Sequence, residues 1–162
     1  MIFVTVGTFH FEGLVQRMDE LATGLDEQVI CQIASGTYVP KNCEYFRFAP
    51  SLDSYMERAR LVITHGGLVV VEAVRMGKPV VAIANPNRTD RHPHQILSVL
   101  EQHNHIVWCR TLDDLPASIA RASTMTFAPY TEPPCHIHTV IRDFLRREPS
   151  TMRSRLSQRL RP

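Results

Sequence analysis

The sequence predicts an α/β protein: a doubly wound parallel sheet with helices on both faces. Three observations predict it. Short apolar runs of strand length alternate with stretches of helical period from residue 2 to residue 122. The runs end at small or polar residues, as at Gly7-Thr8, Ser35-Gly36 and His65-Gly66-Gly67. The length of 162 residues, with 44% hydrophobic and 21% charged, suits one globular domain with a tail. A chain of that size buries about 70% of its unfolded surface, so it needs no disulfide or metal staple.

Element by element, the pattern predicts a strand over 2–6, then a helix over 11–25 with apolar residues at 11, 14, 15, 18, 21, 22 and 25. Strands follow over 28–34 and 44–48, the second ended by Pro50. Ser51 caps a helix over 52–58 with Asp53 in its first turn. A strand over 61–64 runs into His65-Gly66-Gly67, and the next helix, over 68–76, stops at Gly77. A buried strand over 79–84, a polar loop over 85–93, a helix over 94–103, a strand over 106–109 and a helix over 112–122 complete the alternation. A link with Pro129, Pro133 and Pro134 leads to a helix over 136–147. The expected organisation is a folded domain over 1–125, a Pro-rich link and helix over 126–148, and a loose basic tail over 149–162.

Charge is unevenly placed. The formal net is +2, but 142–162 carries seven arginines against Asp143 and Glu148, a local +5 that leaves −3 on the rest. Such a basic end points to an acidic partner or a membrane surface. Charge alone would allow nucleic acid, but neither aromatic interleaving nor a helix-turn-helix pattern accompanies it, so no nucleic-acid partner is expected. The apolar runs are far shorter than the ~20 residues of a membrane span. The start of the chain lacks a signal-peptide pattern, so a cytoplasmic protein is expected. Cys31, Cys43, Cys109 and Cys135 show no C-x-x-C spacing and read as ordinary reduced thiols. Cys135-His136-Ile137-His138 and His92-Pro93-His94 lack a second paired element at zinc spacing, so no metal site is expected.

In a doubly wound sheet, ligands bind beyond the carboxyl ends of the strands, near the switch in strand order. The sharpest segment there is His65-Gly66-Gly67, followed by Glu72-Ala73 and Gly77-Lys78-Pro79. Backbone N–H groups at a helix start with no side chain in the way can take phosphate oxygens, and His65 at the lip can add a donor. Glu72, further along the same helix, can accept from two ribose hydroxyls. A tight strand-to-helix turn with a solvated glutamate accounts for the same residues. Gly7-Thr8 offers a second small-residue turn at the same edge. The polar loop and the helix after it bring Asp90 and Gln95, planar groups that suit the hydroxyls of a hexose; a solvent-exposed loop accounts for the same residues.

Taken in order, His65-Gly66-Gly67, Glu72-Ala73, Gly77-Lys78-Pro79 and His94-Gln95 resemble the donor half of GT-B glycosyltransferases, in particular the family 28 C-terminal domains. The opening Thr5-Val6-Gly7-Thr8-Phe9 resembles the single-domain subunits of split enzymes. These are the eukaryotic subunit of the dolichol-linked N-acetylglucosamine transferase and bacterial exopolysaccharide or capsule counterparts. The likeness covers about 1–125. It implies a Rossmann-like GT-B half domain that binds a UDP-sugar, with no cofactor. Gly7, Thr8, His65, Gly66 and Gly67 would face the diphosphate and Glu72 the ribose. His94 and Gln95 would reach the sugar, and Phe48 and Ala49 would sit at the base. Two features depart from the family pattern: His65 to Glu72 spans seven positions where relatives have eight, and Leu68-Val69-Val70-Val71 fills the part after the glycines.

A complete enzyme of this kind has two such domains, with the acceptor and general base mainly on the other. Here His10, in the first loop, is the one candidate base. The resemblance therefore implies a second, membrane-associated subunit and a lipid-linked glycan acceptor at the cytoplasmic face of a membrane. The C-terminal helix would dock on that partner or pack back on its own domain, with the arginine-rich tail against anionic lipid. Its alternative is a non-catalytic nucleotide-sugar-binding or scaffolding subunit, and a third reading is a GT-B-like nucleotide-sugar epimerase.

Overall fold

The computed structural model describes residues 1–86 and 92–147. The expected loose tail and the centre of the polar loop, Asp90 included, lie outside the described residues. Six strands are present among them: β1 (Ile2–Thr5), β2 (Val29–Gln32), β3 (Glu44–Phe46), β4 (Leu61–His65), β5 (Val80–Ile83) and β6 (Val107–Cys109). All five pairings are parallel, in the order β3-β2-β1-β4-β5-β6. This is the Rossmann order, with its topological switch between β1 and β4. The helices that alternate with the strands are α1 (Glu12–Ala22), α2 (Asp53–Arg58), α3 (Leu68–Arg75), α4 (His92–Gln102) and α5 (Leu115–Thr124).

Successive strand side chains point to opposite faces, so apolar runs feed two cores. Ile2, Val4, Leu61, Ile63, Val81 and Ile83 pack on one face, against Leu14 and Met18 of α1 and Leu115 and Ile119 of α5. Phe3, Val62, Val80 and Ala82 point the other way, to Met56 of α2, Val70 and Val74 of α3, and Leu97 of α4. Substituting alanine for a fully buried Leu97 would cost about 2–5 kcal/mol through lost burial and the cavity left behind.

Every element expected from the hydrophobic period is present, with boundaries shifted by three residues at most. The late start of α5 has a local cause. Thr111 Oγ1 donates to Asp114 Oδ2 at 2.7 Å and accepts from the Asp114 N–H at 3.3 Å, holding a turn where the helix was expected. At the other end of the sheet, Ser51 Oγ accepts from the Asp53 N–H at 3.0 Å, but the N-cap of α2 is Leu52, one residue past the expected Ser51, because Leu52 O takes the first bonds of the helix from Tyr55 and Met56. Helix α3 stops as expected: Gly77 N–H bonds Val74 O and Lys78 N–H bonds Ala73 O, both at 3.0 Å, a Schellman closure.

The first compact unit runs through Thr131, past the expected boundary at 125. Ala128 N–H donates to Asn104 O at 3.0 Å, and Phe127 packs on the first core, so the chain after α5 still belongs to it. The second unit contains α6 (Ile137–Arg147), an amphipathic helix whose apolar side chains are exposed.

Candidate functional site

A cavity of about 420 Å³ opens beyond the carboxyl ends of β1 and β4, at the switch point. That is within the size range of small-molecule sites. Gly7, Thr8 and Phe9 supply one wall, His65, Gly66 and Gly67 the floor, and Leu68 and Val69 the start of α3. Pro93 and Ile96 of α4, with Leu52 ahead of α2, close it on the other sides. The first N–H groups of α3, those of Leu68 and Val69, have no acceptor inside the helix and lie at its positive end.

The glycines are required by what approaches them. A Cβ on Gly66 would stand 2.7 Å from Pro93 Cβ and 3.1 Å from Pro93 Cα, so its absence lets α4 close on the turn. A Cβ on Gly67 would meet His65 Cε1 at 2.9 Å. Gly7 has φ +61°, a left-handed conformation that glycine adopts at little cost.

The strand ends are tied by a neutral polar network. Gln32 at the end of β2 donates through Nε2 to Gly7 O and to Arg47 O, both at 2.9 Å. Its Oε1 accepts from Thr5 Oγ1 at 2.7 Å, and that hydroxyl in turn accepts from the Gly7 N–H at 3.2 Å. These bonds hold the first turn in its left-handed shape. His65 is buried, and its Nε2 lies 2.7 Å from Val6 O. A carbonyl only accepts, so Nε2 carries the proton and the ring ties β4 to β1. Asn85, just past β5, donates to His10 O at 3.2 Å.

The structure brings together Gly7, Thr8, His65, Gly66 and Gly67. The expected place of His65 at the lip is corrected: the ring lies inside, with its Nε2–H spent on Val6. Glu72 is exposed on α3, and the cavity lining from that helix stops at Val69. His94 and Gln95 open instead on a broad depression of about 730 Å³ with Ser98, Val99, Gln102 and Trp108. The His94 ring meets the Trp108 ring edge-on at 5.7 Å, and the Arg110 guanidinium stacks over the Trp108 ring at 3.5 Å. Because α4 begins at His92, two residues before the expected start, it is His92, Pro93 and Ile96 that face the cavity. Phe48 is exposed and Ala49 half-buried on the loop before Leu52, and His10 is exposed after β1.

Sequence reasoning missed Thr5, Gln32, Asn85, Pro93 and Ile96. The signal for the first two was a polar residue at the last position of an otherwise apolar strand. No three His, Cys, Asp or Glu side chains among the described residues converge as metal ligands would.

The sequence profile of the glycosyltransferase family 28 C-terminal domain matches residues 1–137. Over 121 residues the chain is 30% identical to the UDP-N-acetylglucosamine transferase subunit ALG13 of Mus musculus, covering 66% of this chain and 10% of that protein. It is 31% identical over 87 residues to the subunit of that name from Eremothecium gossypii, covering 52% of this chain and 43% of the other. The chain thus spans a tenth of the mouse relative and under half of the Eremothecium one. The solution structure of ALG13 superposes with a TM-score of 0.58 at 21% identity, over 81% of this chain and 89% of that one. The crystal structure of Acinetobacter baumannii MurG gives 0.59 at 18% identity, over 75% and 41%. At these identities the structural likeness is one of fold. The profile match runs through all six strands and the five helices around them, and the chain belongs to the glycosyltransferase family 28 C-terminal domain family.

Proposed function

We propose that this chain is the donor-binding catalytic subunit of a two-component inverting glycosyltransferase that moves a sugar from a UDP-sugar to a lipid-linked acceptor. The observation that carries the reading is the cavity at the β1–β4 switch point, floored by His65-Gly66-Gly67 and walled by Gly7-Thr8, in a chain of this family. The names of the relatives make UDP-N-acetylglucosamine the first donor to test.

In this reading the diphosphate lies over the turn and the start of α3. There the N–H groups of Leu68 and Val69 meet charge that grows on the leaving group. The acceptor hydroxyl attacks the anomeric carbon from the face opposite the nucleotide. The bond from that carbon to the diphosphate oxygen breaks, the configuration inverts, and a base takes the hydroxyl proton. His10 is the candidate base on this chain. Glu72 holds the ribose from α3, Phe48 and Ala49 flank the base, and His94 and Gln95 approach the sugar from the first turn of α4.

A second chain completes the cleft. Phe9 and Phe48 on loops and Leu68 at the start of α3 are large apolar side chains left 53%, 65% and 78% exposed at this edge, as befits a surface that closes on another domain. That partner is membrane-associated and brings the acceptor at the cytoplasmic face. Half a cleft would leave the donor wet and the acceptor unpositioned.

The scaffolding alternative rests on a specific observation. The cavity lining is largely apolar, with Leu68 and Val69 at the helix start, and the His65 Nε2–H already has an acceptor. Calorimetric titration with UDP, UDP-N-acetylglucosamine, UDP-glucose and GDP-mannose, on the chain and on its complex with a co-purified partner, separates the two. The catalytic reading expects saturable binding of one UDP-sugar and transfer by the complex. Binding without transfer by the complex supports the scaffold, and silence from both preparations sinks the donor site.

A further inference from the structure

We propose that Arg47 is a positioning residue for the base of the donor. Its guanidinium locks the end of β2 to the loop of Phe48 and Ala49, and so sets affinity and preference for the uracil. The inference rests on the donor-binding reading above and adds to it a residue that does not line the cavity.

Just past β2 the backbone takes a costly conformation. Ala34 has φ +49°, a left-handed geometry in which its Cβ crowds the following carbonyl. Among the described residues Asn104, at φ +57°, is the other non-glycine of this kind, and asparagine tolerates the region where alanine does not. Such residues persist where their surroundings over-determine them, and they cluster at binding sites. Ala34 is fully buried at the carboxyl end of β2, the sheet edge on which the cavity opens.

Arg47 is bonded to that turn in both directions. Its Nη1 donates to Ala34 O at 3.2 Å and to Gly36 O at 2.7 Å, and the Ala34 N–H donates back to Arg47 O at 3.2 Å. The far end of the segment is pinned by α1, where Glu12 accepts from Thr37 Oγ1 at 2.6 Å and from the Tyr38 N–H at 3.2 Å. Gln32 Nε2 donates both to Arg47 O and to Gly7 O, so one amide joins Arg47 to the first wall of the cavity. The residue before Arg47 is fixed: the Phe46 ring stacks on Tyr55 of α2 at 4.5 Å. The residue after it, Phe48, is exposed. The bonds of Arg47 therefore decide where the loop that runs to Leu52, at the cavity, begins. A uracil arriving against Phe48 and Ala49 meets a loop already in place, which spares the cost of ordering it.

The test is calorimetry with UDP, UDP-N-acetylglucosamine and GDP on the full chain in complex with its co-purified partner. Arg47→Gln should bind UDP and UDP-N-acetylglucosamine each about tenfold more weakly, and GDP within about twofold of wild type, so the preference for uracil falls as well. Both side-chain bonds leave one nitrogen, which an ammonium can replace, so Arg47→Lys should return to within about threefold of wild type. Glycine takes the left-handed conformation freely, so in an Ala34→Gly background Arg47→Gln should weaken UDP only about threefold. An Arg47→Gln complex with wild-type affinity and preference overturns the proposal and leaves the donor site standing. So does one that weakens UDP and GDP by the same factor and melts at a lower temperature, which would make Arg47 a residue that only holds the fold. Wild type that binds none of the three nucleotides removes the donor site, and this role with it.

Discussion

At the carboxyl ends of its strands the sheet buries hydrogen-bonded polar side chains; at the amino ends it is tied by ions. Thr5, Gln32, Thr64, His65 and Asn85 are all buried and all sit at or just past the end of a strand on the cavity side. At the opposite edge Glu27 takes the α-amino group of Met1 at 3.1 Å and the Arg60 Nε at 2.9 Å. Lys78 Nζ reaches the Ala59 carbonyl at 3.2 Å. The contrast has a physical reason. If the cavity takes a diphosphate as proposed, it needs walls of fixed shape without fixed negative charge, and saturated amide and hydroxyl bonds supply that. The amino-terminal edge has only to close the fold, and partly exposed ion pairs serve there at small energetic return.

The largest effect should follow from breaking the neutral network. Gln32→Leu removes one acceptor and two donor bonds and leaves the Thr5 hydroxyl and the carbonyls of Gly7 and Arg47 without Gln32. We expect a loss of about 3 kcal/mol in urea unfolding, unchanged by added salt, because unpaired buried polar groups cost about 1–3 kcal/mol each. A loss below the effect of an ordinary surface substitution would show that this edge is not held as described. Gly66→Ala comes next. Its methyl group would force Pro93 and the start of α4 outward, a cost of about 1–3 kcal/mol with a matching loss of donor binding by calorimetry.

Glu72→Gln separates binding from folding at the same edge. The side chain is exposed, so unfolding should be unchanged. If the carboxylate holds ribose hydroxyls as proposed, donor affinity falls about tenfold, the worth of one charged hydrogen bond. Unchanged affinity would remove Glu72 from the site.

Much of the edge is legible in the sequence. Apolar runs of strand length broken by Gly7 and by Gly66-Gly67 place two turns at the switch point, and both line the cavity. The rotational phase of α4 was not legible. A start at His92 in place of residue 94 turns Pro93 and Ile96 inward and leaves His94 to stack on Trp108, and the contact of Pro93 with Gly66 that goes with this phase is tertiary. Nor was the role of Gln32. A polar residue closing an apolar run reads as the place where a strand stops, and only the parallel pairing of Thr5 with Gln32 brings their side chains together.

The smallest predicted effect lies at the ionic edge and has a distinct pH signature. The Arg60 guanidinium, hydrogen-bonded to Glu27, holds that carboxyl below the usual glutamate value, against the opposing effect of partial burial, and the α-amino group adds to the shift. A depressed folded-state pKa contributes stability that is present above the unfolded value, near 4.5, and is lost as pH falls through the folded one. Glu27→Gln should therefore cost about 0.5–1 kcal/mol at neutral pH, a figure kept low because Arg60 is 44% exposed and both cations can rehydrate. The difference from wild type should shrink at high salt and vanish in acid, once Glu27 is protonated in both states. Urea unfolding of the two proteins across that range measures it. A cost that persists in acid would mean that Glu27 acts through packing or neutral hydrogen bonds, and the two edges of the sheet would then be held by the same kind of force.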